Sequence, residues 1–565
     1  MKLPNIDPTP VIHPYPETTM FGAISASADR FPKAPAYEFM GKYTTYSEFE
    51  KKIEQAAGAF YKAGLRKNDV VAICMPNTPQ ALICMYALNR IGAIANMIHP
   101  LSSRKNITYY LDYADSKMIL CLDQFYEKVR DAVAEAKREV RILVARISEE
   151  LPAPLAVGYA LTKGKEYRKY PDTNKGVVWS DFVRAGRGVK LPVMQYEKDK
   201  TAVILYSGGT SGTPKGICLS DNGFNALGVQ LAEVAGCNLT YGCKFLSVMP
   251  IFHGFGLAVG IHAMLQNGAM CILIPQFTKE SYAKDVIKHK PHFIAGVPTL
   301  FEALLKVEAF NGQDLSFLRG VFSGGDALSP ELKKRVDKFF VEHNATVQIR
   351  EGYGLTECIA ASCLTPIDKP KEGSIGLPLR DVIYRIVEPG TFDEVPRGET
   401  GEIIISGPTV MVGYLKNEEE NEKTIRRDEN GTRWLFTGDI GSMDEDGYIY
   451  FRQRLKRMIV SSGFNVYPSQ IEKIIDRHPD VDYCCAIGVK DPYKMQKVRA
   501  YVVLNPGVPE TDEEKQKIIN FCKDYLDVHA RPKEIVFRKE LPRTLVGKVA
   551  YRVLEEEAEK EENNQ

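Results

Sequence analysis

Short apolar strands alternate with amphipathic helices over two long stretches of this chain, and that alternation restricts its fold more than any other feature. In the first stretch the pattern predicts helices at 47–63 and 80–91 around a strand at 70–74. In the second stretch it predicts a strand at 245–249 and a helix at 280–289. Strands that are separated by single helices favour a parallel, doubly wound α/β sheet.

The length of 565 residues is too great for one ordinary hydrophobic core, so at least two domains are expected. After residue 453 the pattern predicts enough elements for a small α/β domain, namely a helix from Pro468, strands at 486–489 and 499–504, and a helix at 513–527. We therefore predict a large N-terminal domain, residues 1–453, and a small C-terminal domain, residues 454–565. The charged end, residues 555–565, is predicted to be a frayed tail.

The overall charge argues against a protein that binds nucleic acid in general. Lys and Arg number 73 and Asp and Glu number 72, which gives a net charge of +1, whereas such proteins usually need a strongly basic face. This balance still allows a local basic pocket for a polyanionic ligand. We predict no nucleic-acid partner.

The cysteines and the apolar segments indicate a cytoplasmic protein. Twelve cysteines are scattered without a metal-type C-x-x-C pair, so packed, reduced thiols are favoured over disulfides or zinc ligation. The N-terminal residues are polar and rich in proline, unlike a secretory signal. The longest apolar region, residues 69–101, is interrupted by Pro76, Asn77, Pro79 and Arg90, and no membrane span is predicted.

Residues 150–195 combine many basic residues with Tyr159, Tyr167, Tyr170 and Trp179. One interpretation is a peripheral docking surface for anionic lipid. The other is a solvated loop between the strands of a sheet, which this composition favours because exposed insertions often have it.

The sequence YSGGTSGTPKG, residues 206–216, follows an apolar run that is typical of a strand. Its four glycines allow unusual backbone angles and let amide groups approach a polyanion. The spacing differs from that of a P-loop, because two residues separate Gly212 from Lys215. We predict that this loop binds a triphosphate rather than forming a mere flexible turn, through Ser207, Gly208, Gly209, Thr210, Ser211, Gly212, Thr213 and the mobile positive charge of Lys215.

Further segments follow in a fixed order: MPIFHGFGL (249–257), SGGDALSP (323–330), EGYGLTE (351–357), GSIGLPL (373–379), GEIIISGPTVMVGY (401–414), FTGDIG (436–441), RLKRMIVSSGFNVYP (454–468) and LPRTLVGK (541–548). With the glycine-rich loop they resemble the signature segments of the adenylate-forming superfamily, over nearly the whole chain. That superfamily includes acyl-CoA synthetases, firefly luciferases and the adenylation domains of peptide synthetases.

The resemblance implies an acid–thiol ligase that uses ATP and Mg²⁺ to convert a carboxylic acid into an acyl-adenylate, and then transfers the acyl group to coenzyme A. It also implies an α/β fold in which the large domain combines doubly wound sheets with a β-barrel-like subdomain, and in which the small α/β C-terminal domain is mobile.

The resemblance also implies how the nucleotide is bound. In YGLTE, Tyr353 is suited to stack on adenine, and the Thr356 hydroxyl can donate to the α-phosphate. Glu357 offers a hard oxygen ligand for Mg²⁺, and Thr210 is the second implied metal ligand. The remaining implied contacts are Gly324, Gly325 and Asp326 beside the adenine, Gly354, and Asp439 and Arg454 at the ribose.

By its position in LPRTLVGK, Lys548 resembles the catalytic lysine of the superfamily, whereas by composition alone it would be taken for an exposed lysine near the C-terminus. A carboxylate that attacks the α-phosphate brings two anions together, so a nearby cation stabilises the transition state. By resemblance, His253 lies at the mouth where the acyl carboxylate and the thiol meet, as a conformational gate, although a lone histidine beside apolar residues is more often simply packed. Thr210 and Glu357 complete the predicted catalytic set.

The second half-reaction is implied to need rotation of the small domain, with Lys456 as its pivot. Ser462 and Gly463 belong to a turn that resembles the lining of the pantetheine tunnel. Val460 stands where some relatives carry a lysine that assists this step, so the resemblance defines the contacts of the thiol step less closely.

The acyl pocket is predicted to include Phe255, Val259, Val297 and Gly354, whose small or apolar side chains favour a medium- or long-chain fatty acid. An aryl acid such as a cinnamate stays open as an alternative, as does an acyl-AMP ligase that loads a carrier protein. A nucleotide-binding protein without turnover is disfavoured because the catalytic lysine and the metal-binding glutamate are both present. Amino acids are disfavoured because the segment around His253 contains no acidic residue.

Overall fold

The computed structural model describes residues 14–563, except for residues 163, 168, 173–175, 208–213, 462–463, 492–494, 527, 529 and 544–548. By its internal contacts the chain divides into two compact units. Unit 1 comprises residues 1–383 and 405–435, and unit 2 comprises residues 384–404 and 436–565. This division rests on contacts alone, and the hinge boundary after residue 453 stays a prediction.

Unit 1 is built on two large sheets. In the described part of the chain the first has nine strands, in the spatial order Leu377–Pro378, Cys363–Leu364, Ile349–Tyr353, Gly320–Ser323, Phe293–Gly296, Lys244–Ser247, Met270–Leu273, Pro35–Phe39 and Lys42–Thr45. The second has eight, in the order Gly413–Tyr414, Lys215–Ser220, Thr201–Ser207, Ile94–Met97, Val70–Cys74, Met118–Leu122, Arg141–Ala145 and Gly176–Val178. The central strands of both sheets pair in parallel, which confirms the predicted doubly wound architecture.

Two smaller sheets follow along the described chain. The first has five strands, Ile383–Val387, Gly401–Ser406, Arg433–Met443, Ile425–Arg427 and Ile449–Arg454, and it is the element that corresponds to the β-barrel-like subdomain, for which the sequence gives no bounds. The last sheet lies in unit 2 and has strands Phe464–Val466, Ile459–Ser461, Met495–Leu504, Val481–Asp491 and Glu534–Phe537. The predicted small α/β domain is therefore present.

The described α-helices are Met20–Arg30, Tyr46–Lys62, Pro79–Arg90, Arg104–Tyr113, Tyr126–Ala134, Ala153–Leu161, Gly164–Tyr167, Trp179–Arg184, Asp221–Val234, Ala263–Gln266, Lys279–His289, Pro298–Leu304, Pro330–Glu342, Glu418–Thr424, Pro468–Ile475, Asp512–Lys523 and Tyr551–Asn563. A π-helix, Phe255–His262, runs directly into Ala263–Gln266. Short 3₁₀ turns occur at Asp123–Phe125, Ile147–Glu149, Glu308–Phe310, Thr356–Cys358 and Leu455–Arg457.

Local sequence accounts for many of these boundaries. Helix Tyr46–Lys62 begins with a capping box, in which the Thr45 hydroxyl accepts from the Glu48 amide and the Glu48 carboxylate accepts from the Thr45 amide. Every residue of strand Val70–Cys74 is buried, as expected for a parallel strand that is covered on both faces. This strand and the two helices predicted around it are confirmed within one residue.

The predicted frayed tail is wrong for most of its length, because the charged end continues helix Tyr551–Asn563. Leu554 and Ala558 bury one face of this helix. In addition, Arg538 Nη2 lies 2.8 Å from Glu557 Oε2. Leu554 and Ala558 are four residues apart, so they lie on the same face of the helix and can pack on the core while the acidic side chains occupy other faces.

The interpretation of residues 150–195 as a solvated loop is also wrong in part. The described part of this region contains three helices and strand Gly176–Val178, which pairs in parallel with Arg141–Ala145. Trp179 and Phe182 are buried, and the Phe182 ring lies 5.0 Å from the ring of Phe60. Aromatic packing therefore fixes part of a segment whose composition is typical of loops.

The prediction of packed thiols is confirmed, since all twelve cysteines are buried and free. Within the described residues, no helix has both the length and the apolar character needed to cross a bilayer.

Candidate active site

The nine-stranded sheet has a topological switch point beside strand Lys244–Ser247. The next strand along the chain, Met270–Leu273, lies on one side of it, and the following strand, Phe293–Gly296, lies on the other. In open α/β sheets, ligands bind in the crevice outside the carboxyl ends of the strands at such a point. Three of the predicted site segments lie at the carboxyl ends of strands of this sheet. Residues 249–257 follow Lys244–Ser247, residues 323–330 follow Gly320–Ser323, and residues 351–357 continue from Ile349–Tyr353.

Gly324 is where these three segments meet. Its amide donates to the carbonyl of Gly296 at 3.1 Å. A Cβ built on Gly324 would lie 3.2 Å from the Gly352 carbonyl oxygen and 3.7 Å from the Phe255 ring. A side chain at this position would therefore press on the backbone that leads into Tyr353.

The residues after Gly324 turn outward. Gly325 has a φ of +81°, in the left-handed region that glycine tolerates, and a Cβ there would lie 3.5 Å from Cγ1 of Val297. Asp326 is exposed, and its Oδ1 accepts from the Ala327 amide at 3.0 Å. The predicted adenine-side residues thus form a turn whose backbone is open to a ligand.

Ala360 is held between two of the predicted segments. A Cβ on Gly354 would lie 2.1 Å from the Ala360 carbonyl oxygen, so only glycine fits at position 354. On its other side, a Cβ on Gly254 would lie 3.4 Å from Cβ of Ala360. Ile359 and Ala360 both have positive φ, of 53° and 75°, a strained arrangement for two consecutive non-glycine residues. Gly354 therefore serves backbone packing beside Glu357, whatever its part in an acyl pocket.

His253 is half-buried at the start of the helix that contains the π-helical segment. Its Nδ1 accepts from the Phe255 amide at 3.2 Å, which leaves the proton of the neutral imidazole on Nε2. Of the other predicted pocket residues, Val259 is buried within the same π-helix, and Phe255 and Val297 flank the turn after Gly324. π-Helical segments occur frequently at functional sites.

Asn77 fixes the segment that carries His253. Its side-chain amide donates to the carbonyls of Ser247 and Met249, both at 2.9 Å. Its Oδ1 accepts from the Ile251 amide at 3.0 Å. Asn77 follows strand Val70–Cys74 of the eight-stranded sheet, so one buried side chain joins the carboxyl ends of the two large sheets.

A second contact joins the same two ends. His99, which follows strand Ile94–Met97, has its ring 4.2 Å from the ring of Phe252. Its Nδ1 accepts from the Leu101 amide at 2.9 Å, and burial, helped by the charge of Lys128, lowers the pKa of His99. A neutral ring therefore packs beside the residue that precedes His253.

Glu357 belongs to a partly buried polar network. The Tyr414 hydroxyl donates to Oε1 of Glu357 at 3.0 Å, and the Glu357 carbonyl accepts from the Met411 amide at 2.7 Å. Burial, together with the negative charge of Glu357, raises the pKa of Tyr414, so the phenol stays a donor at neutral pH. An ionised carboxylate has about four acceptor positions, so Glu357 can accept from Tyr414 and still bind a hard cation.

Lys215 connects this network to the glycine-rich loop. It is the first residue of strand Lys215–Ser220, its Nζ forms an ion pair with Glu420, and it lies 4.9 Å from the centre of the Tyr414 ring. Asn421 Oδ1 accepts from the Tyr414 amide at 2.6 Å and holds the tyrosine backbone in place. The end of the predicted phosphate loop and the predicted metal ligand are thus joined through one tyrosine.

Tyr353 and Thr356 lie just before Glu357 in the chain. Tyr353 ends strand Ile349–Tyr353 and is half-buried, and its carbonyl accepts from the Ser362 amide at 2.9 Å. Thr356 begins the 3₁₀ turn that carries Glu357. Both residues therefore lie in the segment that the network orders.

Asp439 and Arg454 lie in unit 2 and pair with each other. They face one another across antiparallel strands, and Arg454 Nε lies 3.0 Å from Asp439 Oδ1. The Asp439 side chain is 1% exposed and that of Arg454 is 47% exposed, so the pair reaches solvent through its guanidinium side. The structure brings these two predicted ribose ligands together.

Several predicted residues lie outside the described part of the chain: Gly208, Gly209, Thr210, Ser211, Gly212, Thr213, Ser462, Gly463 and Lys548. Ser207 ends strand Thr201–Ser207 and Lys456 lies within the turn Leu455–Arg457, and for these two only the backbone is described. Their proposed roles rest on sequence.

Some residues that build the site carry no motif signal of their own. In the sequence, Asn77 only interrupts an apolar run, and Tyr414 only ends a motif segment. In unit 2, Arg457 follows the predicted pivot, and its Nη2 lies 2.6 Å from Glu472 Oε1. For Asn77 the signal is a polar side chain inside an otherwise apolar segment, because burial then requires a partner.

Comparison with known protein families gives two matches. The model described as AMP-binding enzyme matches residues 24–415, and the model described as AMP-binding enzyme C-terminal domain matches residues 470–548. Together they include the motif segments of the candidate site in unit 1 and most of the C-terminal region.

Individual proteins are similar over nearly the whole chain. The long-chain-fatty-acid–CoA ligase of Bacillus subtilis (strain 168) is 32% identical over 553 residues, which is 97% of this chain and 96% of that protein. The 4-coumarate–CoA ligase 2 of Nicotiana tabacum is 28% identical over 512 residues, which is 89% of this chain and 88% of that protein. The crystal structure of ATP-bound MatB from Rhodopseudomonas palustris has the same fold, with a TM-score of 0.81 and 24% identity, over 96% of this chain and 99% of that one.

Proposed function

This chain belongs to the AMP-binding enzyme family and is an acid–thiol ligase, and from that premise we propose that it activates a medium- or long-chain fatty acid with ATP and transfers it to coenzyme A. The observation that carries the proposal is the network of Lys215, Tyr414 and Glu357. It joins the end of the phosphate loop to the carboxylate that would hold the metal ion.

The first half-reaction forms a bond between a carboxylate oxygen of the acid and the α-phosphorus of ATP, and breaks the bond to pyrophosphate. Both reactants are anionic, so the site must supply positive charge and hydrogen-bond donors. We assign Lys215 and the amides of residues 207–213 to the β- and γ-phosphates, Thr356 to the α-phosphate and Lys548 to the developing charge. Tyr353 and the turn at residues 324–326 would hold the adenine.

The metal site fits Mg²⁺ by its donor chemistry. Glu357 provides a carboxylate oxygen, and the Thr210 hydroxyl is the second proposed ligand; Mg²⁺ prefers a few such oxygen donors together with substrate phosphates. When bound, the ion would neutralise phosphate charge. Tyr414 holds the Glu357 carboxylate in one orientation for this purpose.

The second half-reaction transfers the acyl group from AMP to coenzyme A. The thiol sulfur bonds to the acyl carbonyl carbon, the bond from that carbon to the phosphate oxygen breaks, and AMP leaves. The thiol is the nucleophile, so no protein nucleophile is needed. We assign Lys456 to the pivot of the C-terminal domain, Ser462 and Gly463 to the pantetheine tunnel, and Asp439 with Arg454 to the ribose. His253 would act as a gate between the acyl pocket and the thiol.

The fatty-acid assignment is supported by the Bacillus subtilis relative and by the apolar residues Phe255, Val259 and Val297. The tobacco relative, which is named for coumarate, supports an aryl acid as the second candidate. A panel of acids that includes hexanoate, decanoate, palmitate and 4-coumarate, assayed by pyrophosphate release with ATP and Mg²⁺, separates the two. An aryl acid that surpasses every aliphatic acid would overturn the fatty-acid assignment.

Lys548→Ala tests the division into two half-reactions. We expect acid-dependent ATP–pyrophosphate exchange to be lost, while thioester formation from a supplied acyl-adenylate is largely retained. Lys539→Ala, a lysine of the same unit outside the motif segment 541–548, is the matched control. If both half-reactions fall equally in Lys548→Ala, the assignment of this lysine to the first step is wrong.

We also propose a cytoplasmic location with peripheral contact to membranes through residues 150–195. The twelve free, buried thiols support a reducing compartment, because disulfides are rare there.

A further inference from the structure

Unit 2 contains a group of side chains that can ligate a metal ion, apart from the residues assigned to the candidate active site. One nitrogen of His478 and one carboxylate oxygen each of Asp480 and Glu514 lie within 4.8 Å of one another. His478 and Glu514 are 7% and 3% exposed, and Asp480 is half-buried. We call these three residues the His478 cluster. Imidazole and carboxylate groups are both ligands that proteins use for Zn²⁺.

Glu514 is buried with one of its two carboxylate oxygens unpaired. Its side chain is 4% exposed, and Lys517 Nζ lies 2.9 Å from its Oε2. Within the described part of the chain, Oε1 of Glu514 is buried and has no hydrogen-bond partner. A buried carboxylate oxygen without a partner costs free energy, so such an atom indicates that a water molecule or an ion completes its contacts.

The start of the helix that carries Glu514 accounts for this burial. Thr511 and Glu514 have the spacing of a capping box, in which the glutamate would accept from the threonine amide. The Thr511 hydroxyl does accept from the Glu514 amide at 3.2 Å, but the Thr511 amide donates to the Pro509 carbonyl at 3.0 Å. The Glu514 carboxylate is therefore not needed as a cap and lies instead in the His478 cluster.

His478 offers a lone pair within the cluster. Its Nδ1 lies 3.8 Å from Oδ2 of Asp480 and accepts from the Asp480 amide at 3.3 Å. A ring nitrogen that accepts a hydrogen bond carries no proton, and a hydrogen bond of this length is weak enough for an ion to replace it. The Phe521 ring contacts the His478 ring edge-on, with 5.2 Å between their centres, and restricts its rotation.

The separations in the cluster are close to those around one ion. Two ligand atoms of a tetrahedral Zn²⁺ lie about 3.4 Å apart, because Zn–N and Zn–O bonds are about 2.0–2.2 Å long. The 3.8 Å between His478 Nδ1 and Asp480 Oδ2 is near this value, and the half-buried Asp480 side chain has room to turn toward an ion. Imidazole favours Zn²⁺ over Mg²⁺ and Ca²⁺, which take oxygen ligands.

We propose that His478, Asp480 and Glu514 bind Zn²⁺, with a water molecule in the fourth position. Oε1 of Glu514 would ligate the ion, while Lys517 stays on Oε2 and holds the carboxylate in place. The ion would connect helix Asp512–Lys523 to the turn before the next strand of unit 2, and would thereby stabilise this unit. None of its ligands takes part in the proposed ligase chemistry, so the two proposals stand or fall separately.

Equilibrium dialysis of the full chain against Zn²⁺ tests this proposal. The protein is first freed of metal with a chelator, and ATP is left out so that no nucleotide-bound metal is counted. We expect about one Zn²⁺ per chain, which an excess of about a hundredfold of Mg²⁺ does not displace, because Mg²⁺ prefers oxygen ligands. Absence of bound Zn²⁺, or its displacement by Mg²⁺, would overturn the proposal.

Substitutions in the cluster should abolish this binding. His478→Gln and Glu514→Gln retain the size and polarity of the side chains, and each should weaken Zn²⁺ binding at least about a hundredfold, since even residues that only orient a ligand contribute about 10–100-fold. Asp480→Asn, at a half-buried position, disturbs the fold least and should weaken binding at least about tenfold. Its result decides the matter if the two buried variants do not fold, and unchanged binding in it would then contradict the proposal.

His289→Gln is the matched control. His289 also lies beside two carboxylates, but its Nδ1 is 3.4 Å from Glu38 Oε2 and its Nε2 is 3.9 Å from Asp285 Oδ1. The two carboxylates thus stand at different ring nitrogens, and we expect Zn²⁺ binding to be unchanged. A loss in this control equal to that in His478→Gln would show that the metal is not held by the His478 cluster.

Co²⁺ in place of Zn²⁺ identifies the ligands by absorption spectroscopy. A tetrahedral Co²⁺ with nitrogen and oxygen ligands has visible bands and no thiolate charge-transfer band in the near ultraviolet. We expect the visible bands in the unaltered protein and their absence in Glu514→Gln. A thiolate band would assign the ion to some of the twelve cysteines instead and overturn the proposal.

Discussion

The Tyr414 hydroxyl lies 3.0 Å from Oε1 of Glu357, and the same tyrosine ring lies 4.9 Å from Nζ of Lys215. These residues come from three separate segments of unit 1. They are far apart in the sequence, so their contact cannot be inferred from local sequence patterns. Tyr414 orients the carboxylate of Glu357, the predicted metal ligand. The same tyrosine connects Glu357 to Lys215 at the end of the predicted phosphate loop.

Tyr414→Phe should lower the rate of ATP–pyrophosphate exchange about tenfold or more, because a hydrogen bond to a charged group contributes about 1.5–3 kcal/mol. The concentration of Mg²⁺ at half-maximal rate should rise as well, since the carboxylate of Glu357 loses its fixed orientation. Tyr196→Phe is the control, because it removes a hydroxyl that donates to Asn222 at 3.1 Å, away from the site. An exchange rate and Mg²⁺ dependence equal to those of the control would refute the role of Tyr414.

Asn77→Ala should destabilise the protein and raise the KM for the acid. The substitution leaves the buried Ile251 amide and the partly buried Met249 carbonyl without the Asn77 side chain, at a cost of about 1–3 kcal/mol for each group left unsatisfied, whereas the Ser247 carbonyl still accepts from the Ile274 amide. Urea unfolding measures the stability, and steady-state kinetics measures the KM.

The control for Asn77 is Asn505→Ala in unit 2. The Asn505 amide also donates to two backbone carbonyls, those of Pro479 and Val481 at 2.8 Å and 3.2 Å, although these contacts are less buried than those of Asn77. We expect lower stability without a change in KM. A KM shift of the same size in both variants would show that Asn77 acts through stability alone.

Gly354→Ala should impair folding or exchange strongly, whereas Gly254→Ala should be tolerated. The added methyl group at position 354 would lie 2.1 Å from a carbonyl oxygen of the backbone, but the one at position 254 would lie 3.4 Å from Cβ of Ala360, an ordinary contact. Overpacking of this kind typically costs about 1–3 kcal/mol. If Gly354→Ala changed only the preferred acid and left stability intact, position 354 would be a wall of the acyl pocket and not a packing site.

Stability should fall in acid partly because of His262. Complete burial lowers the pKa of His262 to about 3, and its ring nitrogens lie 3.1 Å from the Tyr86 hydroxyl and 3.0 Å from Oδ1 of Asn225. The unfolded histidine takes up a proton near pH 6.5 but the folded one does not, so the free energy of unfolding decreases as the pH falls below about 6.5.

Between pH 7.5 and 5.5 the His262 contribution to this decrease is about 1.4 kcal/mol. His262→Gln keeps hydrogen-bonding groups without a titrating ring, so its free energy of unfolding should fall by that much less over the same interval. Urea unfolding of both proteins at the two pH values checks this difference. Parallel pH profiles would mean that His262 does not stay neutral in the folded protein.

Local patterns predict the elements of this fold but not the contacts between them. Strand Val70–Cys74 and helix Tyr46–Lys62 are predictable because alternation, burial and a capping box act within a few residues. The role of Asn77 is not, since its partner carbonyl at Ser247 lies 170 residues away in another sheet. The π-helical turn at Phe255–His262 is not predictable either, because an apolar run has no period that separates it from an ordinary helix.

The candidate site shows the same division. The motifs predict that residues 249–257, 323–330 and 351–357 act together, and the structure brings them to one end of one sheet around Gly324. It also shows what the motifs do not contain, namely the contact of Tyr414 with Glu357. Composition is misleading where apolar anchors are sparse, as in helix Tyr551–Asn563, where Leu554 and Ala558 bury a face of a highly charged segment.

Acid-dependent exchange of labelled pyrophosphate into ATP tests the central claim most directly. With purified protein, Mg²⁺ and a panel of aliphatic and aryl acids, we predict rapid exchange for at least one acid in the absence of coenzyme A, and thioester formation once coenzyme A is added. If no acid in the panel supports exchange, this chain does not form acyl-adenylates and the account is wrong.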